Sequence, residues 1–165
     1  MGRDRVGLQE PTAFEATLLG GPARLKGSFI LADITQVSNP ALWKTTFKNV
    51  GLVVSCLRHD LHTEYPTLCT AKSQLVGVDM RNKDLRNRQF MEALPLVEQT
   101  LEAGKDVLVH CRESYHRAPI CCAAFVYMLC GVDYKVERPT YTTFMAFDEQ
   151  PIFPNIEKYV SAEKN

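Results

Sequence analysis

The sequence predicts an α/β domain with a central, mostly parallel sheet flanked by helices on both faces. Three observations carry that expectation. Short apolar runs rich in β-branched residues recur at 51–56 (GLVVSC), 74–78 (QLVGV) and 107–109 (VLV), and uninterrupted runs of this kind are what strands buried on both faces require. Between them lie stretches with apolar residues at three- and four-residue spacing, the period of an amphipathic helix. Strand alternates with helix, without internal repeats, through 165 residues, which is about one domain on the prior of roughly 100–200 residues each.

Residues 1–27 are polar and Gly-rich, with a Gly20-Gly21-Pro22 breaker, and are expected to be a partly ordered lead-in to a single domain at 28–165. A strand is expected at 28–32. Asn39-Pro40 then opens a helix through Trp43 and Phe47, with Pro40 in its first turn. The strand at 51–56 is followed by a long polar connection, 57–71, carrying His59, His62 and Pro66, and the strand at 74–78 ends at Asp79. Phe90, Leu94, Val97 and Leu101 predict a helix over 86–103 that Gly104 terminates. Pro95 inside it implies a kink or a later start. The strand at 107–109 runs straight into His110-Cys111. Pro119 begins the most apolar helix, closed by Gly131. Two short helices, at 141–148 and 155–161, are expected in the remainder, separated by Pro151 and Pro154.

The composition, 45% hydrophobic and 23% charged with nine Gly and nine Pro, fits an ordinary globular chain and excludes collagen-like, coiled-coil and disordered classes. Nineteen Lys plus Arg cancel nineteen Asp plus Glu, so no bulk positive field gathers nucleic acid or anionic membrane, and any anion must be held by a local site. The start MGRDRVGLQE lacks the apolar stretch of a signal peptide. Gly2 is in place for myristoylation, but Val6 stands where Ser or Thr is required. The longest apolar run, 120–130, is about half of the roughly 20 residues that span a bilayer. Six cysteines, at 56, 69, 111, 121, 122 and 130, form neither a paired ladder nor the pairs two residues apart that zinc sites favour. A reduced, cytoplasmic location is expected, with the nucleus also open.

The chemistry concentrates in VLVHCRESYHRAPICCAAFVYMLCG. A strand delivers Cys111, five residues turn, Arg117 follows, and a helix starts at once. Backbone N–H groups of such a turn, with the positive end of the helix, make a cradle for an oxyanion. Arg117 adds a planar fork suited to two phosphoryl oxygens. The same field favours a thiolate at Cys111. A thiolate attacking a phosphate monoester needs an acid for the leaving group, and Asp79, at the end of a neighbouring strand, is the candidate. Asp84 is a competing acid. A cysteine after a strand is more often a buried structural thiol, but that would leave Arg117 and the immediate helix start unexplained.

On these residues the sequence resembles the cysteine-dependent protein tyrosine phosphatases, in particular the small dual-specificity branch. The signature is His-Cys, five residues, Arg, together with an upstream acidic residue followed by a Leu, here VDMRNKDL with Asp79 and Leu85. The resemblance covers about 28–159 and implies a dual-specificity phosphatase-like fold without cofactor or metal. Position by position it implies that Cys111 forms a phosphocysteine, that Arg117 binds the phosphoryl group, and that Asp79 protonates the leaving oxygen and then activates water. His110 would tune the thiolate through hydrogen bonds behind it. Arg112, Glu113, Ser114, Tyr115 and His116, with Arg117, would form the phosphate-binding loop.

Two departures bear on rate. Ser114 stands where the family usually has Gly, and a Cβ at a positive φ costs about 1–2 kcal/mol. Ala118 replaces the hydroxyl residue expected after the Arg, removing a donor worth about 1.5–3 kcal/mol, or roughly ten- to a hundred-fold in rate. The implication is a slow enzyme limited by breakdown of the intermediate. The alternative is a weak or inactive pseudophosphatase that binds a phosphorylated or acidic partner. A rhodanese-like sulfur carrier also uses a loop cysteine, but the five-residue spacer and Asp79 argue against it. Family members acting on phosphoinositides often carry two basic rim residues. Here Arg112 is offset by Glu113 and His116 is only conditionally charged, which favours a phosphorylated protein over a highly anionic lipid as substrate; the partner expected is that protein substrate, and the chain is expected to be a monomer. In some relatives a cysteine placed like Cys56 forms a reversible disulfide with the nucleophile, and a low-pKa thiolate with a resolving partner makes a redox switch. A buried small hydrophobe is the plainer reading of Cys56. His59, Asp60, His62 and Glu64 sketch a metal cluster, but such a cluster is more often a solvated loop.

Overall fold

Val107, Leu108 and Val109 carry no polar side, so their strand needs cover on both faces and neighbours on both edges, and the structure gives it both. A computed structural model describes residues 10–57, 65–79, 83–111, 117–131, 135–137 and 142–144. Strands Thr12–Glu15 (β1), Ser28–Ala32 (β2), Val50–Ser55 (β3), Gln74–Gly77 (β4) and Asp106–His110 (β5) form one sheet in the order β1-β2-β5-β3-β4. β2, β5, β3 and β4 run parallel, and β1 is antiparallel to β2. The mostly parallel α/β sheet expected from the sequence is therefore present, with β5 at its centre.

Strand alternation divides the core into two layers. Phe29, Leu31, Leu52, Val54, Val107 and Val109 face the long helices Lys83–Glu102 (α4) and Arg117–Cys130 (α5), where Phe90 stacks on Phe125 at 4.7 Å and 16°. Ile30, Val53 and Leu108 face the other way, toward the short helices Ile34–Val37 (α1), Pro40–Trp43 (α2) and Thr67–Lys72 (α3), and meet Val37, Trp43 and Cys69. Val50 and Val53 share that second face because the register shifts. Val50 pairs with Asp106 and Leu52 with Val107, leaving Gly51 as an extra residue. A Cβ on Gly51 would come within 2.9 Å of the Lys105 side chain, so the bulge sits where a side chain has little room.

Helix boundaries follow their local chemistry. Asn39 caps α2 by accepting from the Ala41 N–H at 3.0 Å, with Pro40 in the first turn as expected. Asp33 and Gln36 close a reciprocal capping box on α1, at 2.8 and 2.9 Å. Gly104 and Gly131 end α4 and α5 at positive φ, 77° and 72°.

Several expectations are corrected. The long polar connection 57–71 carries an element the sequence did not predict, α3 at Thr67–Lys72, after Pro66 has set an extended entry. β1 is an element the sequence did not predict within the partly ordered lead-in, and that stretch is further tied to α4 by N–H donation from Lys26 and Gly27 to the Leu101 carbonyl, at 3.0 and 3.1 Å. α4 starts at Lys83 and carries Pro95 within it, so the start is not late. α5 starts at Arg117, two residues before Pro119, whose missing N–H falls among the first-turn groups that lack helical partners anyway. Where a helix is expected at 141–148, the described residues Thr142–Phe144 instead form a strand (β7), paired antiparallel with Lys135–Glu137 (β6), and the rest of that stretch lies outside the described residues. Two adjacent threonines and a phenylalanine favour that choice. The helix expected at 155–161 lies outside the described residues. Among the described residues no helix is long and apolar enough to cross a membrane.

Candidate active site

Parallel strands end at one edge of a sheet, and ligands of such sheets bind beyond that edge. Ala32 pairs with His110, His110 with Ser55, and Ser55 with Gly77. The residues that follow this row are Asp33, Cys111, Cys56 and, after Val78, Asp79. The topology thus brings Cys111, Cys56 and Asp79 to the same edge, from three sequence segments, and Arg117 opens the helix that leaves it. Arg112, Glu113, Ser114, Tyr115 and His116 lie outside the described residues, as do His59, Asp60, His62 and Glu64. Asp84 lies in the first turn of α4. Among the described residues no group of three or more His, Cys, Asp or Glu could hold a metal ion.

Cys111 is 2% exposed and Asp79 3% exposed. The Val78 N–H donates to the Ser55 carbonyl at 2.9 Å, extending the ladder past β4, and the Asp79 N–H donates to Gln89 Oε1 on α4 at 2.7 Å. The backbone of Asp79 is therefore held from both the sheet and the helix. His110 is fully buried. Burial holds its pKa down at about 4, although a hydrogen bond to the Cys111 carbonyl favours the charged form. His110 is thus neutral near pH 7. Its Nδ1 lies 3.2 Å from the Cys111 carbonyl oxygen, and its Nε2 lies 2.6 Å from the Tyr65 hydroxyl.

Cys56 is fully buried, and its N–H donates to the His110 carbonyl at 2.8 Å. Burial pushes its thiol pKa well up, a hydrogen bond to Cys121 on α5 pushes the same way, and the positive charge of Arg117 pulls against both. All six cysteines are reduced thiols. Ala118 is fully buried, its methyl directed into the core formed by α4, α5 and the sheet.

Sequence reasoning missed Tyr65 and Gln89. Tyr65 stands in a polar connection with nothing local to mark it, and Gln89 lies among the polar residues of α4. Only the packed structure brings either to the site. Asp33, also missed, is legible in Asp33-Ile34-Thr35-Gln36, a capping-box pattern; its carboxylate accepts from the Gln36 N–H.

No protein-family model matches the sequence, and comparison with curated proteins finds no match. Solved structures do resemble it. The chain is similar to Tk-PTP in its active form, with a TM-score of 0.56 and 11% identity over 81% of this chain and 94% of the other. It is also similar to human DUSP28, with a TM-score of 0.51 and 16% identity over 83% and 90% of the two chains. The fold is that of the small tyrosine and dual-specificity phosphatase-like proteins.

Proposed function

We propose that the chain is a phosphomonoester hydrolase acting on phosphoproteins, on phosphotyrosine and on phosphoserine or phosphothreonine, through a phosphocysteine at Cys111. The observation that carries this reading is the strand-to-helix passage: β5 ends at His110, Cys111 follows, and α5 opens at Arg117. A thiolate there lies against the positive end of α5 and beside a guanidinium.

In the first step the Cys111 sulfur attacks phosphorus and the bond to the leaving oxygen breaks. The Asp79 carboxyl gives its proton to that oxygen. In the second step the Asp79 carboxylate takes a proton from water, the water oxygen attacks phosphorus, and the sulfur departs as thiolate. Arg117 holds two phosphoryl oxygens throughout. The buried methyl of Ala118 offers no proton to the departing sulfur. The second step is accordingly the slow one, by roughly ten- to a hundred-fold relative to a loop with a hydroxyl there.

The test is hydrolysis of an aryl phosphate. Wild type turns it over, Cys111→Ser and Arg117→Ala do not, and a chelator changes nothing. If wild type is as inert as Cys111→Ser, the enzyme reading fails. The methyl of Ala118 also favours a second reading, a protein that binds phosphorylated partners without releasing product. Accumulation of phosphocysteine without turnover would select it. Ser114→Gly combined with Ala118→Ser should then restore turnover.

A further inference from the structure

The ladder that holds the end of β4 stops one residue short of the proposed acid. Val78 donates its N–H to the Ser55 carbonyl at 2.9 Å, and the next N–H, that of Asp79, turns instead to Gln89 Oε1 on α4 at 2.7 Å. A backbone N–H only donates, so the Gln89 amide must present its oxygen there. Gln89 stands ten residues further along the chain, on a helix that the core holds fast. Its neighbour Phe90 is buried and stacks on Phe125 of α5, and Leu94, Val97 and Leu101 continue the same buried stripe. Asp79 is itself buried. A contact from a packed helix to this backbone fixes the peptide plane between Val78 and Asp79, and with it the direction in which the Asp79 carboxyl leaves the chain.

We propose that Gln89 is a positioning residue for Asp79: its amide oxygen latches the backbone of the acid to α4 and so holds the carboxyl where it meets the leaving oxygen. The proposal rests on the phosphatase reading, in which the Asp79 carboxyl gives its proton to that oxygen as the bond to phosphorus breaks. Without the acceptor, the Asp79 N–H is left unmatched in a buried place, and the segment gains by shifting until that N–H reaches water. Such a shift carries the carboxyl away from the leaving group. The cost falls on substrates unequally. A nitrophenolate departs readily without a proton, whereas phenolate, a poorer leaving group, depends on receiving one. A hydrogen bond with a purely structural role would instead lower stability and slow all substrates by the same factor.

The experiment measures kcat/KM, which reports the step that forms phosphocysteine, on 4-nitrophenyl phosphate and on phenyl phosphate. Wild type is compared with Gln89→Met, Gln89→Glu and Asp79→Asn. Met keeps the length of the side chain without an amide oxygen, and Glu keeps an acceptor oxygen at the same place. Hydrogen exchange at the Asp79 amide is followed by NMR in the same proteins, with urea midpoints as the check on folding. Gln89→Met should lose roughly three- to tenfold on phenyl phosphate, the worth of one hydrogen bond, and less than about twofold on the nitrophenyl ester. Its Asp79 amide should exchange faster by a similar factor. Gln89→Glu should stay near wild type in both. An equal loss on both esters, or an unchanged exchange rate, would overturn the proposal, while a selective loss on phenyl phosphate in Asp79→Asn keeps the phosphatase reading intact. If Asp79→Asn treats the two esters as wild type does, Asp79 is not the acid and the latch has nothing to position. Wild type as inert as Cys111→Ser would end the phosphatase reading, and the proposal with it. The wild-type exchange rate is decisive alone, because an Asp79 amide without protection has no latch whatever the variants do.

Discussion

A histidine held neutral in a protein core takes up a proton when the chain unfolds in mild acid, and that uptake drives unfolding. His110 is such a group, fully buried with its pKa down at about 4 against an ordinary 6.5. Above about pH 6.5 neither state binds the proton and the fold keeps its full stability. As pH falls below that value the unfolded chain binds a proton that the folded chain refuses. Stability then drains away until about pH 4, where the folded state protonates too. At about 1.4 kcal/mol per decade of proton affinity, the loss is about 2 kcal/mol at pH 5 and about 3 kcal/mol at pH 4. That is a large share of the roughly 5–15 kcal/mol that holds a typical domain together. Urea unfolding of wild type and His110→Gln, from about pH 7.5 to about pH 4, isolates the effect, because the remaining carboxylates titrate alike in both and cancel. The stability gap between the two proteins should change by about 2 kcal/mol between neutrality and pH 5, against wild type. A gap that stays constant across that range refutes the assignment of His110 as the buried neutral base.

Phe90→Ala should lose about 3–5 kcal/mol by urea unfolding, since both rings of the Phe90–Phe125 stack are buried and 4.7 Å apart. Gly27→Ala should cost about 1–3 kcal/mol or more by thermal melting, because a Cβ there would lie 1.9 Å from the Lys105 carbonyl oxygen. Gly77→Ala, with nothing among the described residues within 4 Å of its Cβ, should stay within about 0.5 kcal/mol. Equal effects at the two glycines would contradict the packing described. Mild peroxide should yield a Cys56–Cys111 disulfide in wild type, with Cys56–Cys121 as the competing bond set up by the hydrogen bond between those thiols. Mass spectrometry finding only over-oxidised Cys111 would remove Cys56 from any redox role.

What could be read from the sequence was what rests on local pattern. β3 and β5 stand out because Val53, Val54, Val107 and Val109 leave no polar face. The strand end at His110-Cys111 and the helix start at Arg117 stand out because an apolar run stops at one and an apolar helical run begins just after the other. Asn39-Pro40 and Gly104 mark their helix ends by backbone chemistry that needs no partner. β1 is not legible because Thr12–Glu15 gains its order only from the edge of β2, and α3 is not because Thr67–Lys72 is too short to display a period. β7 escapes because three residues are too few to show alternation, and the prolines downstream of Thr142 suggest helix ends more strongly than its β-branched pair suggests a strand. The same limit hides Tyr65, whose partner is 45 residues away in sequence.

β5 lies between β2 and β3 in space yet follows both in the chain, and that arrangement governs how the sheet can come into being. In the final sheet β2 does not touch β3, so without residues 106–110 the native pairings would leave two separate pieces, β1 with β2 and β3 with β4. Each piece presents a bare edge to solvent. The strand that closes the gap is the one that ends at Cys111, and it must reach back to Phe29 and Leu31, which face Val107 and Val109 in the final register. Long-range closures of this kind slow folding. The candidate site therefore hangs on the strand that joins the two halves of the sheet, and without residues 106 onward there would be two bare edges and neither Cys111 nor Arg117.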